Sequence, residues 1–313
     1  MTDQLRDGRL HHLLTLEGLP RPLLERLLER ADALRPDALH GRAARGMLAG
    51  RTVVNLFFEP STRTRTSFEL AARRLGADVV NFDAGLSSTR KGETLGDTLR
   101  TLEAMGVDAF VVRHAADSAL AELAAQAAGR TRLVNAGAGK RDHPTQGLLD
   151  MLTLRQCKGT DFSRLRVAIV GDIRHSRVAR SDLHALRTLG TGEIRVCAPR
   201  ALLPEPAELA GCERVERVDD AVAGVDAVML LRLQRERMED GLVPSLDAYF
   251  RDYGLTPERL ALAAPDAVVL HPGPMNRGVE IADAVADGPQ SLVLQQVSNG
   301  VAVRMAVLEA LLG

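Results

Sequence analysis

The sequence predicts an α/β protein of two domains, each with a central parallel sheet flanked by helices. Three observations predict it. Short Val-rich runs alternate with segments of helical period, as in a parallel sheet covered on both faces. The alternation stops at Lys158-Gly159-Thr160 and then restarts, so two such units follow one another. A chain of 313 residues is long enough for each unit to bury its own core.

The elements follow in order. Leucines at 23, 24, 27, 28 and 34 recur at helical spacing behind Pro22, which suits a first helical turn. Strands are expected at 53–58, 78–83, 109–113 and 132–136, separated by helices at 64–75, 93–105 and 117–128. A long helix from Pro144 through Leu154 connects the halves. The second half reads as strand 166–171, helix 176–189, strand 193–198, a Pro-containing loop at 203–206, a helix near 218–223, and strands 226–232 and 267–271. Gly300 to Leu312 is a closing amphipathic helix. Met238 to Tyr253 lacks any period and reads as a long loop, either a lid or a surface insertion.

Composition excludes several classes of function. Basic and acidic residues number 40 and 41, so a net charge of −1 argues against nucleic-acid binding through bulk positive charge. The basic residues are almost all Arg, with Lys only at 91, 140 and 158. Cys157, Cys197 and Cys212 are widely spaced without a CxxC pair, which fits a reducing compartment and neither disulfides nor structural zinc. Asp3, Arg6, Asp7 and Arg9 leave no room for a signal-peptide core, and no apolar run approaches the roughly 20 residues of a membrane span. The expected protein is soluble and cytoplasmic.

The stretch Val53 to Glu69 carries the strongest local signal. An apolar strand ends in Ser61-Thr62-Arg63-Thr64-Arg65-Thr66-Ser67, after which Phe68, Ala71, Ala72 and Leu75 resume at helical spacing. Hydroxyls and main-chain N–H groups at a helix start, where the dipole is positive, cradle a phosphate, and Arg63 adds a forked charged contact. A plainer reading is an ordinary capped helix with two solvent-facing arginines and a capping box from Thr66 to Glu69. Five hydroxyls and two Arg in seven residues exceed what capping needs.

In open parallel sheets, ligands bind beyond the carboxyl ends of the strands. At those ends stand Ser61 to Arg65, Arg113-His114 and His143-Pro144-Thr145-Gln146 in the first half. The second half places Asp172, Arg174, His175 and Arg177; then Arg232, Gln234, Arg235 and Arg237; then His271-Pro272-Gly273-Pro274. A nearly neutral protein is thereby expected to gather positive charge in a cleft between its domains. His143 alone would more often be a structural hydrogen bonder than a catalyst. No Ser-His-Asp order, HExxH or nucleophilic Cys context is visible, which gives no reason for covalent or metal chemistry. Val167 to Asp172 resembles the opening of a dinucleotide unit, but bulky Ile173, Arg174 and His175 stand where its glycines belong, so a nicotinamide dehydrogenase is a weak alternative.

These segments together resemble the aspartate/ornithine transcarbamoylase family. The match runs in consistent order through Phe57 to Glu69, Lys91-Gly92-Glu93-Thr94-Leu95, Arg113-His114, His143 to Gln146, Gly171-Asp172 with Arg177, Arg232 to Arg237, and His271 to Pro274. The Lys-Gly-Glu-Thr, Arg-x-Gln and His-Pro-Gly-Pro segments favour the aspartate branch, and the His-Cys-Leu-Pro segment typical of the ornithine branch is missing. The resemblance implies carbamoyl transfer from carbamoyl phosphate to L-aspartate, without a cofactor, by direct attack of the amine. A transcarbamoylase for ornithine or another amine is the alternative, and a non-catalytic phosphate-binding subunit is a rival of another class.

By the same resemblance, Ser61, Thr62, Arg63, Thr64 and Arg113 hold the phosphate, and Thr64, Arg113 and His143 contact the carbonyl oxygen. Gln146 and the main chain at Gly273 and Pro274 take the carbamoyl amide. Arg177, Arg232 and Gln234 take the aspartate carboxylates. Ser87 and Lys91 serve the neighbouring subunit's site, implying a homotrimer, and Glu59 pairs with Arg177 and Arg237 on domain closure. The implied domains are 1–143 with helix 298–313 for carbamoyl phosphate and 144–297 for aspartate. Relatives that join zinc-bearing regulatory chains or dihydroorotase-like partners leave a partner chain open.

Overall fold

The computed structural model describes residues 4–40, 46–83, 94–234 and 245–313. It divides into two compact units, Met1–Leu152 with Val297–Gly313, and Thr153–Gln296.

In the first unit a small antiparallel hairpin, β1 (Leu5–Arg6) with β2 (Arg9–Leu10), precedes helix α1 (Arg21–His40). The sheet consists of β3 (Thr52–Phe57), β4 (Asp78–Asp83), β5 (Ala109–His114) and β6 (Arg132–Ala138), with α2 (Thr62–Leu75), α3 (Leu95–Ala104) and α4 (Ala119–Gln126) as crossovers. Its order is β4-β3-β5-β6, all parallel. Residues 53–57 of β3 are all buried, as expected for a strand covered on both faces. Val54, Leu56, Phe110, Val112 and Leu133 from the sheet pack against Leu99, Leu120 and Leu123 from the helices. Full burial of such side chains contributes about 1.5–3 kcal/mol each, so this layer fixes the strand ends that carry the polar groups.

Helix α5 (Pro144–Lys158) contains the boundary between the units. In the second unit follow β7 (Arg166–Gly171), α6 (Arg177–Leu189), β8 (Glu193–Cys197), β9 (Glu213–Val215), α7 (Val218–Val222) and β10 (Ala227–Leu231). Then come α8 (Leu246–Tyr253), α9 (Pro257–Leu260), β11 (Val268–Leu270), α10 (Asp283–Ala286) and finally α11 (Val293–Leu312). The five-stranded sheet has the order β11-β10-β7-β8-β9 and is parallel throughout. Ala168, Val170, Val228, Leu230 and Val269 form its core with Val218 and Val222.

Several elements differ from expectation for physical reasons. Helix α2 starts at Thr62, so Thr66 to Glu69 lies inside it and is no capping box; Glu69 instead accepts from Asn81 Nδ2 at 2.9 Å. Helix α1 continues through Pro36, carried by buried Leu34 and Ala38. Part of the expected loop at 238–253 is helix α8, which Ser245 caps through Ala248 N–H and which buries Tyr249. Residues 238–244 lie outside the described residues. The hairpin, β9, α9 and α10 are too short to show a period. Helix α11 begins at Val293, seven residues before the expected start at Gly300, which lies inside it.

Candidate active site

Both sheets have a topological switch point, and the polar strand ends flank it. In the first unit the chain leaves β3 towards β4 and later returns to β5 on the other side of β3, so the gap above β3 and β5 is where a ligand binds in such sheets. Ser61 to Thr64 follow β3, and Arg113 is near the end of β5. In the second unit the switch lies between β7 and β10, which Arg177 and Asp172 follow on one side and Arg232 to Gln234 on the other. Strand order cannot be read from a single sequence, and it shows that these segments flank the switch points.

The start of α2 is electrostatically unusual. Ser61 occupies the N-cap but its side chain makes no capping bond, and the first turn has no acidic residue. Arg63 and Arg65 are exposed there, while Thr64 is buried. Cations at the positive end of a helix cost stability, and first-turn N–H groups lack intrahelical partners, so this turn is not built for helix stability and has the donors to accept an anion. Ser67 Oγ turns back to the carbonyls of Arg63 at 2.6 Å and Thr64 at 2.9 Å, leaving those hydroxyls nearer the start of the helix as the ones offered.

Arg113 is held from two sides. Its Nη1 donates to the Ala136 carbonyl at 3.1 Å, and its Nε lies 3.5 Å from a Glu59 carboxylate oxygen. Glu59, expected to pair with Arg177 and Arg237, thus has an ion-pair partner in its own unit, and Arg237 lies outside the described residues. His143 is buried just before α5, where its carbonyl accepts from the Gln146 N–H at 2.9 Å. Gln146 Nε2 donates to Asp150 Oδ1 one turn on, at 3.0 Å. Ser87 and Lys91 lie outside the described residues.

In the second unit Asp172 ties the two sides of the switch point together. Fully buried, it takes His175 Nδ1 at 2.9 Å and His175 N–H at 3.2 Å on one oxygen, and the Gln234 N–H at 3.2 Å on the other. Gly171 has φ +128°, and a Cβ there would meet the Leu231 carbonyl at 2.3 Å. The glycine therefore serves close approach of two strand ends, not a pyrophosphate. Ser176 caps α6 through Ala179 N–H at 3.1 Å, and Arg177 in its first turn is buried, again a cation at the positive end of a helix. Arg232 and Gln234 are half-buried.

The His271 to Pro274 turn is braced from below by a residue that gave no sequence signal. Gly273 N–H donates to His271 Nδ1 at 2.9 Å, so the ring proton is on Nε2, which donates to Glu280 Oε1 at 3.0 Å. The same Glu280 oxygen accepts from Asn276 N–H at 2.6 Å, and Gln296 Oε1 takes the His271 N–H at 2.9 Å. Gly273 adopts φ +65° and its peptide to Pro274 is cis. Burial pushes the Cys197 thiol up to about 12, so it remains a thiol, and not a nucleophile, near neutral pH. Among the described residues no cluster of three or more His, Cys, Asp or Glu is placed to hold a metal, and no helix is long and apolar enough to cross a membrane.

Comparison with known proteins decides the family. Residues 11–156 match the family model for the carbamoyl-P binding domain of aspartate/ornithine carbamoyltransferase, and residues 163–311 match that for its Asp/Orn binding domain. The chain belongs to the aspartate/ornithine carbamoyltransferase family. Within this carbamoyltransferase family it is 68% identical over 307 residues to the aspartate carbamoyltransferase catalytic subunit of Xanthomonas campestris pv. campestris, covering 98% of each chain. It is also 68% identical to the catalytic subunit from Stenotrophomonas maltophilia over the whole of both chains. Aspartate transcarbamoylase from Trypanosoma cruzi, solved with carbamoyl aspartate and phosphate, superposes with a TM-score of 0.85 at 32% identity, over 97% of this chain and 96% of that one. Ornithine carbamoyltransferase from Thermus thermophilus superposes almost as well, with a TM-score of 0.84 at 30% identity over 96% of this chain and 99% of that one.

Proposed function

We infer that this chain transfers the carbamoyl group of carbamoyl phosphate to the amine of L-aspartate, giving N-carbamoyl-L-aspartate and phosphate. The backbone does not choose between acceptors, because aspartate and ornithine enzymes fit it nearly equally well. The observation that carries the choice is 68% identity over the full length to aspartate carbamoyltransferase catalytic subunits. The chemistry of the second unit agrees: arginines at its switch point suit a dicarboxylate and would repel a diamine.

In this reading Ser61, Thr62, Arg63 and Thr64, with Arg113, hold the phosphate as a leaving group. Thr64, Arg113 and His143 donate to the carbonyl oxygen, where charge develops in the tetrahedral intermediate; one such donor commonly accounts for about 2.7–4 kcal/mol of barrier lowering. Gln146 and the main chain at Gly273 and Pro274 take the carbamoyl amine. Arg177, Arg232 and Gln234 hold the aspartate so that its neutral amine faces the carbamoyl carbon, which replaces a bimolecular encounter by positioning. The amine forms the new C–N bond, the C–O bond to phosphate breaks, and the departing phosphate takes the amine proton.

The product is a pyrimidine-ring precursor in its atoms, and we place the reaction at the committed step of pyrimidine biosynthesis in the cytoplasm. Ser87 and Lys91 complete the site of a neighbouring protomer in a homotrimer. The purified chain, supplied with carbamoyl phosphate and either aspartate or ornithine, should release phosphate with aspartate alone. Release with ornithine alone would reverse the assignment of the acceptor.

A further inference from the structure

We propose that the buried Asp150 is a positioning residue that sets which end of the Gln146 amide is presented to the carbamoyl group. The proposal rests on the reading of Gln146 as the carbamoyl-amine ligand.

A primary amide has two chemically opposite ends, an NH2 that only donates and a carbonyl that only accepts. The amine of a carbamoyl group is a donor, so it is recognised by the carbonyl end. Nothing in Gln146 itself prefers one orientation. Its Nε2 donates to Asp150 Oδ1 at 3.0 Å, and Asp150 is 1% exposed. An ionised carboxylate accepts and cannot donate, so only the NH2 end of Gln146 can face it. The carbonyl oxygen is then the end available to a ligand. A neutral acid or an amide at position 150 could donate as well as accept, and the preference would be lost.

The charge on Asp150 needs a buried counter-charge, because burial alone favours the neutral acid. The buried Arg304 on α11 feels the Asp150 charge and is the cation that can offset it. The guanidinium is 4% exposed, donates from Nη1 to the Gly300 carbonyl at 3.0 Å, and lies 4.9 Å above the ring of Phe68 on α2. Burial pushes its pKa down to about 10 while the Asp150 charge pulls the other way, so it is still a cation at neutral pH. Room for it is made by Gly300, where a Cβ would lie 2.5 Å from Arg304 Nη1 and 3.3 Å from Leu149 Cδ2. A buried cation costs desolvation and is a poor way to stabilise a helix pair. Its position makes sense as the counter-charge to a carboxylate whose own role is to orient a neighbour.

The test is a reciprocal exchange read by steady-state kinetics with carbamoyl phosphate varied at saturating aspartate. Asp150→Asn should raise the KM for carbamoyl phosphate about tenfold, from loss of one oriented acceptor, with little change in the KM for aspartate. Gln146→Glu should also be impaired, because two carboxylates then face one another. The double variant Asp150→Asn with Gln146→Glu restores an arrangement in which the residue at 150 donates and the residue at 146 presents an oxygen. Its KM for carbamoyl phosphate should therefore recover towards the unsubstituted value. A merely structural role would move melting temperature and leave no such recovery. The proposal is overturned if Asp150→Asn leaves the carbamoyl phosphate KM unchanged, or if the double variant, folded by its melting transition, is no better than either single one. If the unsubstituted chain itself does not turn over carbamoyl phosphate, the proposed function fails instead.

Discussion

In the proposed site, Arg113 is a residue fixed in advance for an anion. An exposed Arg would spend side-chain entropy on each binding event, since long flexible chains lose about 1.5–2 kcal/mol of rotamer freedom when fixed. Here the Ala136 carbonyl and Glu59 fix the guanidinium beforehand at the end of β5. Arg177 and Arg232 are the proposed counterparts in the second unit, and the proposed roles separate experimentally. Arg232→Ala should lower kcat/KM for aspartate about 30-fold or more, the cost of removing one partner of a charged pair, while the dissociation constant for carbamoyl phosphate stays within about twofold, a change worth only about 0.4 kcal/mol. Equal losses for both substrates, measured by kinetics and calorimetry, would reject the assignment. The arginines themselves were legible in the sequence. The bracing of His271 by Glu280 and of the Gln234 N–H by Asp172 was not, because each contact joins residues that sequence spacing does not bring together.

At the scale of elements, the start of α2 sets ligand binding against helix stability. Its N-cap side chain makes no bond and its first turn carries arginines without an acid. Ser61→Asp should place a carboxylate where the dipole favours it, stabilising the protein by about 0.3–1 kcal/mol. The same carboxylate would repel the phosphate and raise the KM for carbamoyl phosphate at least about tenfold. Melting temperature and KM rising together is the expected outcome; a stabilised variant with unchanged KM would show that phosphate binds elsewhere. Most strands and long helices could be read from the sequence because each has several turns or a full run of Val, Ile and Leu. The misreadings have local causes. The closing helix was expected to start at Gly300 because that glycine's packing role against Arg304 is a tertiary fact, and α8 looked like a loop because its eight residues hold too few turns to show a period.

At the scale of the molecule, two parallel sheets each place cationic groups at a switch point, and a chain of net charge −1 thereby recognises anions through local concentration of charge. Strand order created this arrangement, and sequence spacing shows only that the groups lie at strand ends. The proposed homotrimer is testable by complementation. Inactive Lys91→Ala chains mixed with inactive Arg63→Ala chains should regain activity in mixed trimers, because some sites then combine an unaltered Lys91 with an unaltered Arg63. No recovery in mixed trimers verified by mass would refute shared sites. The central claim, carbamoyl transfer to aspartate, is tested most directly by competition. Carbon-labelled carbamoyl phosphate is given to the purified chain with equal aspartate and ornithine, and the labelled product is identified by mass spectrometry. The account requires the label in N-carbamoyl-L-aspartate; label in the carbamoyl derivative of ornithine, or bound carbamoyl phosphate with no product, would contradict it.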